Sequence, residues 1–202
     1  MSDKVISEKE ELILRGAIEL LKRGESPYSI KVSDIAKAAN VGKGTIYEYF
    51  ESKEEVMAKS IIYSMEVEIK KLESKLKSKK SFRERLESIC ENLIESIESE
   101  QSTFNMLLSA EGMAEFYPAG MSDFDGCSKM IGSINAIIDL VLKPGIEEGI
   151  ISKENSLFYN RMAVKTVFIT IGHYMLKTEF YPGITIEDVK ADTYKLVMKA
   201  LG

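Results

Sequence analysis

Tryptophan is absent from this chain, histidine occurs once and cysteine twice among 202 residues. Each shortage removes a class of reading. The single histidine, His173, and two cysteines 37 positions apart, Cys90 and Cys127, offer no metal-ligand spacing. No phosphate-binding glycine loop and no G-x-S-x-G turn stands in the sequence, so no cofactor and no catalytic set are expected. Two widely spaced cysteines suit free thiols in a reduced, cytoplasmic setting. Long apolar runs are missing too. The most apolar stretches, such as residues 167–171, are far shorter than the roughly 20 residues that a membrane-spanning helix needs. The opening MSDKVISEKEE is charged and has no apolar centre, so no signal peptide is expected. A surplus of positive charge is also lacking. The formal net charge is −5, and residues 1–60 hold ten basic against eleven acidic side chains. A generic basic surface for polyanions is thereby excluded.

What is present is helical. The apolar fraction is 45%, enough for a core, and only four prolines interrupt the chain. Ser7 with Glu10 three residues on forms a capping-box pattern. The helix it opens carries Ile13, Leu14, Ala17, Leu20 and Leu21 on one face and stops at Gly24. Gly16 inside it costs about 1 kcal/mol relative to alanine by propensity alone. Ser52 with Glu55 opens a second long helix to about Lys77, striped by Val56, Ile61, Met65, Ile69, Leu72 and Leu76. Lys75, Lys77, Lys79 and Lys80 at its end read as a solvated helix terminus or as a second nucleic-acid contact. Ser81 with Glu84 opens a helix bearing Leu86, Ile89, Cys90, Leu93, Ile94 and Ile97. Residues 104–116 form another, broken at 117–120. Asp123 opens the next, with a kink expected near Leu140 because Pro144 follows four residues later. Asn155 or Ser156 starts a helix reaching to about Glu179, apolar nearly all round between Met162 and Met175. It therefore needs more than one buried face. Thr185 with Asp188 caps the last helix.

The most informative stretch is VSDIAKAANVGKGTIYEYFESK, residues 32–53. Ile35, Ala36 and Ala39 give a short helix a small apolar face that permits close crossing by a neighbour. Asn40-Val41-Gly42 is a tight turn, and asparagine tolerates the left-handed backbone such a turn requires. A second short helix runs from Lys43 to about Phe50. Ile46 and Phe50, four apart, share its buried face, leaving Gly44 and Glu48 opposite. Two short helices so joined form a helix–turn–helix, whose second helix enters the DNA major groove.

GKGTIYEYFESKEE, preceded by DIAKAANV, closely resembles the DNA-binding segment of the TetR family of one-component bacterial regulators. The run Gly44-Thr45-Ile46-Tyr47, Tyr49-Phe50 and Lys53 carries the likeness, over about the first quarter of the chain. The resemblance implies an all-α protein. Residues 1–52 would be a three-helix helix-turn-helix DNA-binding domain, and residues 53–202 a larger helical ligand-binding and dimerisation domain. It also implies a homodimer built on the last two helices, with Gly172 admitting a close partner. By the same resemblance Thr45, Tyr47, Tyr49 and Lys53 hold operator phosphates. Ser33 touches the backbone or a base edge. Lys43, Gly44 and Glu48 face the groove floor, where Lys43 could read guanine and Glu48 could accept from cytosine. Tyr49 fits a core role equally, and Glu48 fits a solvent-facing one. The sequence departs from the family pattern at Gly16, Leu21, Lys31 and Gly42. With lysine at position 31, Ser33 or the backbone alone is left to cap the first short helix, and Gly42 forgoes a serine cap on the second.

Members of the family carry an effector cavity in the helical body. Here Phe104, Met106, Met113, Phe116, Met130, Phe168, His173 and Tyr174 supply the adaptable methionine and aromatic surface that an apolar ligand would use. Each of them also fits plain core. The function implied is a ligand-released repressor of a palindromic operator. The alternatives are an activator, or a thiol-redox sensor on the same DNA-binding head. In that last reading Cys90 is the thiol to consider, although its apolar face favours inert burial. Arg161 and Glu111 are the polar residues an enzyme reading would have to use, and nothing in the sequence pairs them.

Overall fold

A computed structural model describes residues 6–26, 28–99, 102–103 and 124–202. Among these the chain is helical throughout, with no strand. It divides into two compact units. The first comprises Met1–Val67 with Glu100–Met130, and the second Glu68–Ser99 with Ile131–Gly202. The helix expected at 104–116 and the break at 117–120 lie outside the described residues.

In the first unit, the Ser7 hydroxyl accepts the Glu10 N–H at 3.2 Å and starts α1 (Glu8–Lys22). Gly24, at φ 82°, follows its end. α2 (Val32–Ala38) begins differently from expectation. Neither Ser33 nor the bare backbone caps it. The Asp34 carboxylate reaches back to accept the Lys31 N–H at 2.9 Å, filling the return half of a capping box. The turn is as read, with Asn40 at φ 54°, the one described non-glycine residue with positive φ. α3 (Lys43–Tyr49) then starts at Gly42, which offers no side-chain cap.

These three helices close over Ile13, Leu14, Ala17, Ile35, Ala36, Ala39, Ile46 and Phe50, all buried. Gly16 has a purpose that propensity alone did not show. A Cβ there would lie 2.8 Å from the Ala39 backbone nitrogen and 3.0 Å from the Ala39 Cβ. The α1–α2 crossing is therefore as close as two backbones with small side chains allow.

α4 (Lys53–Lys77) begins with Ser52 accepting the Glu55 N–H at 3.1 Å. The Glu55 carboxylate accepts from Glu51 N–H at 2.6 Å, one residue earlier than a standard box would place it. Val56, Met57 and Ile61 belong to the same buried cluster as α1–α3. The head's core thus continues past residue 52 into the first turns of α4. Tyr63 adds a polar tie, its hydroxyl donating to Glu11 at 2.6 Å and accepting from Arg15 at 3.3 Å. Ser64 and Thr103, both buried, share a hydroxyl hydrogen bond of 2.6 Å.

The second unit contains α5 (Phe82–Glu98), most of α6 (Phe124–Glu147), α7 (Leu157–Leu176) and α8 (Ile186–Leu201). Capping boxes at Ser81/Glu84 and Thr185/Asp188 form as expected, and Ser156 starts α7. α7 ends at Leu176, not near Glu179, and a 3-10 turn, Thr178–Phe180, follows. α7 packs against both α5 and α8. Phe82, Leu86, Ile89, Ile138, Leu142, Val164, Val167, Ile171, Val197 and Leu201 are buried there.

Pro144 lies inside α6, which remains helical through it. Proline has no N–H, so the carbonyl of Leu140 loses its helical partner. Arg85 of α5 replaces it, donating from Nη1 to that oxygen and from Nε to Lys79 O at 2.9 Å. Beside it, Gly145 lets Phe82 pack against the helix, since a Cβ would sit 2.7 Å from the ring. The lysines at the end of α4 are partly paired. Lys77 meets Glu73 at 2.6 Å, and Lys75 lies 3.7 Å from Glu91. That favours the solvated-terminus reading of this patch.

Candidate nucleic-acid interface

α3 is short, so its orientation rests on what it buries. Ile46 and Phe50 are almost wholly enclosed by α1, α2 and α4. Anchoring those two turns the opposite face outward. Lys43, Gly44, Tyr47 and Glu48 are exposed, with Tyr47 at 53%. A Cβ at Gly44 would meet nothing within 4 Å, so this face is open at its centre. Thr45 is half-buried beside them.

Tyr49 is half-buried and packs on the head's hydrophobic cluster. Its ring supports the fold whatever its hydroxyl touches. Ser33 is exposed on the second residue of α2. Lys53, at the first residue of α4, is half-buried and donates to the Tyr28 carbonyl at 3.4 Å. The end of α3 is held by Lys59, whose ammonium lies 5.6 Å from the Phe50 ring centroid and 2.6 Å from the Glu55 carboxylate. The eight residues read from the sequence therefore fall on three adjacent elements of one small unit. Six are exposed or flank the exposed face of α3, and Ser33 and Lys53 sit at the starts of α2 and α4. Asp34 was missed, although an acidic residue three positions after a helix start was the available signal.

Residues 13–59 match the family model described as bacterial regulatory proteins, tetR family. The head of this chain thus carries a tetR-family DNA-binding segment. Over 44 residues it is 48% identical to an HTH-type transcriptional regulator of Staphylococcus aureus (strain MRSA252). That match covers 22% of this chain and 23% of the regulator's own length. Similarity to solved structures extends along the whole fold. The fatty acid degradation regulator FadR from Bacillus halodurans superimposes with a TM-score of 0.65 at 21% identity, covering 100% of this chain and 97% of that one. FadR from Bacillus subtilis in complex with stearoyl-CoA gives 0.57 at 21% identity, over 95% and 97% of the two chains. The reduced form of Escherichia coli NemR gives 0.69 at 17% identity, over 94% and 98%. As in these solved structures, a helical head precedes a larger helical body.

The residues read as effector contacts are placed unevenly. Phe104, Met106, Met113 and Phe116 lie outside the described residues. Met130 and Phe168 are half-buried on α6 and α7. His173 is exposed and Tyr174 half-buried at the end of α7. His173 Nε2 is 2.8 Å from the Tyr181 hydroxyl, and the Tyr174 hydroxyl donates to Ile184 O at 2.8 Å. The two side chains fasten the 178–184 segment to the end of α7. Arg161, unpaired in the sequence reading, forms a two-pronged pair with Asp139 of α6 at 2.9 and 2.6 Å. Cys90 is a free, buried thiol, and burial pushes its pKa up to about 11.

Proposed function

We propose that the protein is a ligand-controlled transcriptional regulator and not an enzyme: a homodimer that represses from a palindromic operator and leaves it when a small apolar molecule binds the helical body. The observation that carries this reading is the open face of α3. Lys43, Gly44, Tyr47 and Glu48 face outward there because Ile46 and Phe50 are anchored behind them. With a head that is not net basic, affinity rests on placed hydroxyl and amide donors to phosphates. Nonspecific binding is then weak, because few counterions are released.

Dimerisation is supported by the outer side of α7 and α8. Phe158, Ile169, Leu176 and Leu196 are large, apolar and exposed there. Gly172 lies between Ile169 and Leu176 on that side, and a Cβ there would meet nothing within 4 Å. The second buried face that the composition of α7 demands is then supplied by a second copy. An apolar effector is supported by the fold shared with the stearoyl-CoA complex of FadR and by the methionine-rich sequence of the body. Binding would act on the heads through α4, which begins in the first unit and ends in the second.

The test is a gel shift on the DNA upstream of the gene, with light scattering of the same sample. A saturable shift by a dimer, lost in Tyr47→Ala with the dimer intact, is expected. Unchanged affinity in that variant overturns the α3 reading. Release of the DNA by long-chain acyl compounds tests the effector class separately. A thiol sensor at Cys90 is disfavoured by its burial and raised pKa.

A further inference from the structure

The loop between α1 and α2 contains an aromatic side chain with no structural employment. Tyr28 is 72% exposed, as exposed as any large apolar or aromatic residue described. Its hydroxyl has no partner among the described residues, whereas its neighbours Ser29 and Ile30 are bonded back to Ser26. Ser29 N–H donates to Ser26 O at 2.9 Å, Ser29 Oγ to the same oxygen at 2.8 Å, and Ile30 N–H at 3.2 Å. Ile30 is buried in the head's core and fixes the far side of the turn. The Tyr28 carbonyl meets the Lys53 ammonium at 3.4 Å. Tyr28 therefore presents its phenol next to a cation beside the α3 face.

We infer that Tyr28 extends the DNA interface beyond the helix–turn–helix, its hydroxyl donating to a backbone phosphate adjacent to the one Lys53 holds. This rests on the DNA-binding reading of α3. Two observations favour a DNA backbone as the partner of this side chain. Residues 1–60 are one charge negative, so binding depends on individually placed donors such as a phenol. The carbonyl of Tyr28 aligns the Lys53 side chain, so a phosphate at that ammonium lies within a tyrosine's reach. A phosphate contact positions the protein without reading sequence, so its loss weakens all operators alike.

The experiment uses the full-length dimer and a duplex that it recovers from a random-sequence pool. Tyr28→Ala and Tyr28→Phe are compared with the unaltered protein by gel shift and by phosphate-ethylation interference. Both variants are expected to bind roughly three- to tenfold more weakly, with the same order of preference among sequences. Both should lose interference at one phosphate per half-site. Their melting profiles should match that of the parent, since the phenol packs on little. Unchanged affinity and interference in Tyr28→Ala overturn the proposal, and full affinity in Tyr28→Phe overturns the role of the hydroxyl. Tyr47→Ala, run alongside, reports on the α3 reading. If Tyr47→Ala weakens binding and Tyr28→Ala does not, only the loop contact fails. If no duplex is recovered, both readings fall.

Discussion

Replacing Gly16 by alanine sets helix propensity against space. In an open helix the change adds about 1 kcal/mol of stability. Here the new methyl would sit 2.8 Å from the Ala39 nitrogen and 3.0 Å from its Cβ. A backbone nitrogen cannot rotate aside, so α1 and α2 must separate by several tenths of an ångström. Overpacking of that kind costs about 1–3 kcal/mol. With the propensity gain subtracted, a net loss of up to about 2 kcal/mol remains, concentrated in the head. Global denaturation of a two-unit chain blurs such a change, so hydrogen exchange of the α1 and α2 amides is the better assay. Exchange there should quicken, by up to roughly thirtyfold, while α7 and α8 amides stay as they are. Ala39→Gly in the same background should recover part of the loss, because it removes the Cβ clash but not the clash with nitrogen. Slower exchange in Gly16→Ala refutes the reasoning.

Four further outcomes follow from the geometry. Gly42→Ser should strengthen operator binding severalfold in a titration. Gly42 sits at φ −70°, ψ 145°, which serine adopts freely, and a Cβ there meets only Thr45 Oγ1 at 3.7 Å. Arg85→Leu should destabilise the body by about 1–3 kcal/mol in urea titration, because it leaves the Leu140 carbonyl without a donor. Pro144→Ala in that background should restore much of the loss by returning the helical N–H. Cys90, with its pKa pushed to about 11, should alkylate at pH 8 at least ~100-fold more slowly than in unfolded chain, and operator binding should ignore mild oxidant. The carboxylates of Glu84 and Asp188 are held below their ordinary values by the hydroxyl and N–H groups they cap. Their support is complete above the ordinary carboxylate range and is lost as pH falls through the lower folded values. Acid titration followed by NMR should show both midpoints below those of a peptide, and Ser81→Ala should raise that of Glu84.

The sequence was most legible where a local rule decides. Ser81/Glu84, Thr185/Asp188 and the left-handed Asn40 turn are short-range patterns, and each formed where it was expected. Reading failed where the deciding atom lies far along the chain. Gly16 looked like a mere weakness because Ala39 is 23 positions away. The donor for Leu140 comes from Arg85, 55 positions away, so Pro144 looked only like a kink. Periodicity also cannot tell a face buried within one subunit from a face kept for a second one. Ile169 and Ile171 look alike in sequence, yet the first is exposed and the second enclosed. Nor could periodicity show that the polar atoms of His173 and Tyr174 fasten the 178–184 segment. Asp34 was less legible because the cap position of α2 is a lysine, and the carboxylate reaches back to it from three residues on.

The continuation of the head's core into Val56, Met57 and Ile61 bears on how such regulators can be recombined. A crossover at the end of the helix–turn–helix, near residue 52, would join one protein's α1–α3 to another's α4 and leave two unmatched surfaces in a single core. A crossover beyond Ile61 carries the complete core as one heritable block. Natural shuffling of operator preference between relatives, and the design of chimeric sensors, should therefore tolerate junctions inside α4 and reject those before it.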